Sequence, residues 1–168
     1  MRKWLVVLAV LAPSAIAGGL LAQTATTVAQ APAPQAPAPT PFNPGVGDLM
    51  NMIVQPHHIK LWLAGKEANW ALAQYETREV RSALANVAKA RPNFRNQPVA
   101  QLVETFTAAP LQALEAAARD RDAAKFADSY ASLNTGCNGC HTALNQPQVV
   151  IKVPEPPFYP DQDFRPHN

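Results

Sequence analysis

Residues 137 to 141 read Cys-Asn-Gly-Cys-His. Two thiols three positions apart, with a histidine beside the second, form the C-x-x-C-H spacing that attaches a c-type haem. On a helix, positions i, i+3 and i+4 share a face. Cys137, Cys140 and His141 can therefore address one porphyrin, the thiols as thioethers to its vinyl groups and His141 as an axial iron ligand. The chain has 2 cysteines, both in the motif, so no disulfide framework competes for them. A redox dithiol calls for a thioredoxin-like βαβ context, which the chain lacks. A zinc centre calls for four ligands, and His57, His58 and His167 stand at neither finger nor ribbon spacing. The motif predicts one covalent haem c with its iron, and a helix that carries it.

The N-terminus fits export. Arg2 and Lys3 precede an apolar run from Trp4 to Ile16, closed by Ala15-Ile16-Ala17, with a second small-residue site ending at Ala22. Residues 1–22 read as a secretory signal peptide, which places the mature protein in the periplasm, where thioether attachment belongs. A retained leader would instead be a membrane anchor. With Arg2 and Lys3 removed, basic and acidic residues balance at 12 each. No basic stripe points to nucleic acid and no charge run to membrane adsorption. Residues 23–45 are rich in alanine and proline. Proline lacks an amide proton and keeps the residue before it out of helix, so this stretch is expected to be an extended linker.

From residue 46 the pattern becomes helical. Asp48 is a cap for a first helix, with Leu49, Met52, Ile53, Pro56, Ile59, Lys60 and Leu63 on one face. Pro56 predicts a kink or restart, and Gly65 a stop. A second helix is expected from Asn69 to Arg91, its Glu76, Arg78 and Glu79 facing solvent. A third begins at Pro98 and is interrupted by Pro110. A fourth follows the polar turn Arg119–Asp122, with Phe126, Tyr130, Leu133 and Cys137 stepping +4, +3, +4 into the haem motif. Four amphipathic helices joined by short turns predict an all-α, antiparallel four-helix bundle over residues 46–145. The haem would sit near the end of the fourth helix and supply apolar surface that a small domain needs. Residues 146–168 form a proline-rich extended tail. Its Phe158, Tyr159 and Phe164 suggest that it covers a haem edge.

Helix order together with Tyr130, Leu133, Cys137, Cys140 and His141 resembles cytochrome c′ and its c-556-like relatives, over roughly residues 47–144. That resemblance implies an exported four-helix bundle with haem c on the last helix, and a methionine from the first helix as sixth ligand in the c-556 type. Bundle cytochromes of this type often pair through their first two helices, so a homodimer is an expected possibility. Two departures mark a divergent subgroup. Thr142-Ala143-Leu144 replaces the basic residue that commonly follows the haem histidine, and Met50-Asn51-Met52 replaces an Arg-Gln-like pair.

The sixth position separates the functions open to such a protein. Methionine opposite histidine raises the potential and suits electron transfer; a vacant site admits a small gas. Met52, on the expected inner face, ranks first as sixth ligand and His58 second, followed by a vacant site. Met50, His57 and His58 fall off that face of a continuous helix, and a kink at Pro56 would swing one of the histidines inward. Trp62, Trp70, Tyr75 and Tyr130 are candidates to contact the porphyrin, and Lys60, Arg78 and Arg95 to neutralise its propionates. No acid–base pair or substrate pocket is visible, so the reading is a mono-haem electron carrier that docks redox partner proteins and is not an enzyme. The alternative is a cytochrome c′-like protein that binds nitric oxide or carbon monoxide. A peroxidase would require His57 or His58 as a distal acid–base group beside an open iron.

Overall fold

The structure, a computed structural model, describes residues 41–155 and Pro166. The expected signal peptide, the linker up to residue 40, and Phe158, Tyr159, Phe164 and His167 of the tail lie outside the described residues. The element order is α1 (Val46–Leu49), a π-helical turn (Met50–Val54), α2 (Gln55–Lys66), α3 (Trp70–Ala90), β1 (Asn93–Phe94), β2 (Gln97–Pro98), α4 (Val99–Asp120) and α5 (Ala123–Ala143). Among the described residues the regular structure is helical apart from one hairpin of two two-residue strands. There Asn93 pairs with Pro98 and Phe94 with Gln97. Arg95 and Asn96 between them both take positive φ, 50° and 63°, as the tight turn of a right-twisted hairpin requires.

The N-terminal helix departs most from its expected register. Asp48 does cap it, but from inside: its carboxylate accepts the Gly45 N–H at 2.9 Å, so the helix starts at Val46. Pro56 causes no restart. The turn before it widens, and the Gln55 N–H reaches the Met50 carbonyl five residues back. This relieves the proline ring of the clash it would have with a carbonyl four residues behind, and the helix runs on to Lys66. The wide turn changes which residues face inward. The buried and half-buried positions step Leu49–Ile53–His57 and Met50–Val54–His58, by four twice in succession. Met52 falls out of that stripe and is 53% exposed. Its expected inner-face position is corrected. Met50 and His58, expected off the face, point inward instead.

Three helix ends close alike. After α2, Asn69 N–H bonds the Ala64 carbonyl and Ala68 N–H that of Gly65. After α4, Asp122 bonds Ala117 and Arg121 bonds Ala118. After α5, Gln146 bonds His141 and Asn145 bonds Thr142. This pair of bonds is a Schellman motif, which needs a left-handed residue at its corner. Ala68, Arg121 and Asn145 occupy the corners, at φ 53°, 56° and 54°. Gly65 is not the stop. It is buried inside α2, where an added Cβ would lie 2.0 Å from the Phe126 ring of α5. The opposite ends match expectation: Asn69 accepts the Leu72 N–H at 3.2 Å and Asp122 the Lys125 N–H at 3.0 Å.

Each long helix packs on the next, α2 on α3, α3 on α4 and α4 on α5, and α5 returns to α2. The larger core cluster includes Leu61, Val80, Leu84, Leu111, Leu114, Phe126, Tyr130 and Leu133. A smaller one, of Val46, Leu49, Val87, Ala88 and Val99, closes the other end. Each buried aliphatic side chain contributes roughly 1.5–3 kcal/mol. Glu76, expected on the solvent side of α3, is 3% exposed. It shares the inward stripe with Ala73, Thr77 and Val80. The exception is possible because His57 of α2 reaches it at 2.7 Å.

Pro110 neither splits nor ends α4. Its missing N–H leaves the Phe106 carbonyl without an intrahelical partner. That carbonyl faces α5, where an added Cβ at Gly136 would stand 2.1 Å from its oxygen. A Cβ at Gly139 would meet the Phe106 ring at 2.8 Å. The approach of α4 to α5 thus depends on the two glycines that flank Cys137. Gly136→Ala is expected to destabilise the fold by about 1–3 kcal/mol. Gly47→Ala, where an added Cβ meets nothing within 4 Å, should leave stability equal or higher because alanine is the better helix former. Urea midpoints of the two variants test the pair.

Candidate functional site

The C-terminal part of α5 carries Tyr130, Asn134, Cys137 and His141 on one stripe, with Cys140 beside them; Tyr130, Asn134 and Cys140 are buried. Both cysteines are free and lie within continuous helix. Helical residues three apart hold their Cβ atoms about 5–6 Å apart, wider than the roughly 3.5–4.5 Å of a disulfide. They sit near the helix C-terminus, where the negative end of the dipole opposes a thiolate. Burial, with a smaller contribution from Cys140, pushes the Cys137 thiol up to about 12. Burial raises Cys140 as well. Both groups are protonated at neutral pH, the opposite of what a dithiol oxidoreductase needs. Among the described residues, no three His, Cys, Asp or Glu side chains converge as a metal cluster would.

His141 is oriented by the segment that follows α5. The Schellman turn at Asn145 reverses the chain. Pro147 forbids further helix, and the Val149 N–H bonds the Gln146 carbonyl at 3.0 Å. The strap then runs back over α5. The Val149 carbonyl accepts from His141 Nδ1 at 2.7 Å. A proton on Nδ1 leaves Nε2 with its lone pair, and Nε2 has no hydrogen-bond partner among the described residues. Two residues on, Ile151 is held by Asn138 at both its N–H and its carbonyl. The near half of the expected tail therefore does lie along the helix bearing the motif. Pro154 is buried, whereas Val149, Val150 and Val153 are exposed.

On the α2 side of α5 lies a buried polar network. His58 Nε2 donates to Asn134 Oδ1 at 2.7 Å. The Tyr130 hydroxyl proton is shared between His58 Nδ1 and the His58 carbonyl, both at 2.9 Å. Trp62 packs on the Tyr130 ring with centroids 5.0 Å apart. Burial raises the Tyr130 phenol, and nearby Cys137 raises it further, so the network abuts the first thiol. His58 is 6% exposed, and both its ring nitrogens already have partners. To ligate a metal it would first have to give one up. The half-buried rim of the larger cluster contains Met50, Val54, Trp62, Trp70, Leu72, Val103 and Cys137. Met50 is thus on the rim with Cys137, and Met52 is not.

His57, by contrast, pairs with Glu76 and lies 4.0 Å from Glu79. Tyr75 is exposed. Of the three expected propionate partners, Arg95 alone is seen to reach the end of α5, where it donates to the Asn145 carbonyl at 3.3 Å and lies over the Phe94 ring. Arg78 is exposed, and Lys60 contributes to the field at Glu76. Sequence reasoning missed Asn134, Asn138 and the strap carbonyls. An asparagine between the two cysteines and a proline six residues after His141 were the available signals. Comparison of the chain with family models, with curated proteins and with solved structures returned no match.

Burial, opposed by the Asn134 bond, lowers His58 from 6.5 to about 4. Unfolded His58 therefore takes a proton between pH 6.5 and about 4 that the folded protein refuses. Its contribution is fully present above pH 6.5 and is lost as the pH falls towards 4, by about 3 kcal/mol. Glu76 is raised by burial, against a lowering influence of His57, and acts with the opposite sign above 4.5. Urea unfolding at stepped pH should show stability falling through this window, and His58→Gln should flatten the profile.

Proposed function

We propose that this chain is a mono-haem c-type cytochrome that carries electrons, with haem c attached through Cys137 and Cys140 and its iron bound axially by His141 Nε2. α2, α3, α4 and α5 then act as an antiparallel four-helix bundle of the cytochrome c′ kind. The observation that carries the reading is the state of His141: its Nδ1 is committed to the Val149 carbonyl while Nε2 stays available. The donor set fits the group. Two thiols held apart by helix geometry suit a bridge longer than a disulfide, and the adjoining imidazole has the tautomer of an iron ligand.

When bound, the haem supplies a one-electron iron couple. The chain's own part is to hold it, to fix the imidazole and to limit water around it. Cys137 belongs to the rim of the apolar core, so a group attached there would lie at the edge of that core. For the sixth ligand, Met50 now ranks ahead of Met52, because the widened turn sends Met50 to the rim. The balanced charge predicts modest salt dependence of exchange with redox partners. Among the described residues no helix is long and apolar enough to cross a membrane. Periplasmic placement rests on the leader sequence alone.

The test is a spectrum and a mass of the protein matured with haem. A pigment that resists acidified acetone, together with a mass increase of one haem, is expected. A colourless protein, or one that surrenders its pigment, removes the reading. The ferric protein should show the far-red charge-transfer band of methionine ligation, abolished by Met50→Ala and retained in Met52→Ala. Prompt carbon monoxide binding to the ferrous protein, without that band, would instead favour a gas-binding role.

A further inference from the structure

The residue between the two cysteines performs a task of its own. Asn138 Nδ2 donates to the Ile151 carbonyl at 2.9 Å, and its Oδ1 accepts the Ile151 N–H at 2.7 Å. A single side-chain amide therefore gives Ile151 the two bonds that a neighbouring strand residue would give. The α5 backbone could not do so, because its own amides and carbonyls are used within the helix. In an extended segment, carbonyls two residues apart point the same way. Fixing Ile151 thus aims the Val149 carbonyl at α5, where His141, three residues after Asn138 and on the same face, meets it at 2.7 Å.

Little else fixes that stretch. Val149 and Val150 are exposed and Ile151 is half-buried; Pro154 is the buried anchor further along. A lone hydrogen bond to a partly exposed imidazole contributes only about 0.5–1.5 kcal/mol, too little to order a strand on its own against its conformational entropy.

We propose that Asn138 is a positioning residue for the axial imidazole: by clamping Ile151 it holds the Val149 carbonyl on His141 Nδ1 and so sets the tautomer and donor strength of Nε2. The inference rests on the haem reading of Cys137, Cys140 and His141. A carbonyl acceptor on the far nitrogen makes a ligating histidine more basic. A more basic ligand favours ferric over ferrous iron, so the clamp lowers the reduction potential.

The experiment uses the full-length haem protein and two readouts, the midpoint potential and amide hydrogen exchange over residues 148–153. Asn138→Ala should accelerate exchange there and raise the potential. Ile151→Pro removes the strap's N–H donor and leaves the haem motif intact; it should do the same, and it decides the matter if Asn138→Ala fails to fold. In a chain ending at Gln148, adding Asn138→Ala should move the potential no further, because Asn138 acts only through the strap. Three results would overturn the proposal: an unchanged or lowered potential when the strap is released, an equal shift in the truncated chain, or a wild-type strap that exchanges as freely as unfolded chain. A protein without thioether haem would sink the cytochrome reading instead. Exchange at Ile151 would then still report whether Asn138 holds the strap.

Discussion

Phe106 fills the place where α5 has no side chains. Its carbonyl, released by Pro110, and its ring come to the helix at Gly136 and Gly139. Helices with larger residues at such a crossing pack at roughly 8–10 Å between axes; glycines allow a closer approach. This contact fixes the rotation of α5 about its axis. The stripe Phe126, Tyr130, Leu133 then goes to the core, and the two thiols and the imidazole emerge where core gives way to rim. The glycine inside C-x-x-C-H thus serves packing as well as spacing.

The rest of the site follows from that rotation. Tyr130 and Asn134 face α2, so whatever α2 presents must satisfy a phenol and an amide in an apolar setting. His58 does so with both ring nitrogens and its own carbonyl, and no buried side-chain polar atom is left without a partner among the described residues. His58 reaches that position only because of the π turn before Pro56. A proline in the first turn of α2 and a polar triad in the core are therefore linked through helical phase.

Much of this was legible in the residues. The helical character of the chain, the bounds of α3 and the start of α5 after Asp122 follow from periodicity and local hydrogen-bonding chemistry. The group Cys137, Cys140 and His141 is local in sequence, so its common face needs only a helix. What could not be read depended on contacts distant along the chain. The inward turn of Met50 and the outward turn of Met52 require one extra residue in a helical turn, and the periodicity of a regular helix gives no sign of it. Glu76 looks solvent-bound until His57, nineteen residues earlier, is placed against it. Gly65 has the composition of a stop and the role of a contact, because Phe126 lies across from it. Asn138 has no role legible in the sequence because its partner is a segment whose apolar residues alternate too weakly to predict where it docks.

The corners at Ala68, Arg121 and Asn145 have one more implication. A left-handed backbone costs an ordinary L-residue roughly 1–2 kcal/mol, with asparagine the best tolerated after glycine. Ala68 and Arg121 carry that cost on exposed loops, away from the thiols and the imidazole. Glycine at those two bends would relieve crowding without disturbing Cys137, Cys140, His141 or the strap that holds the imidazole. Thermal hardiness and the geometry around the thiols and the imidazole are thereby separable in this scaffold, and one can be raised while the other is held constant.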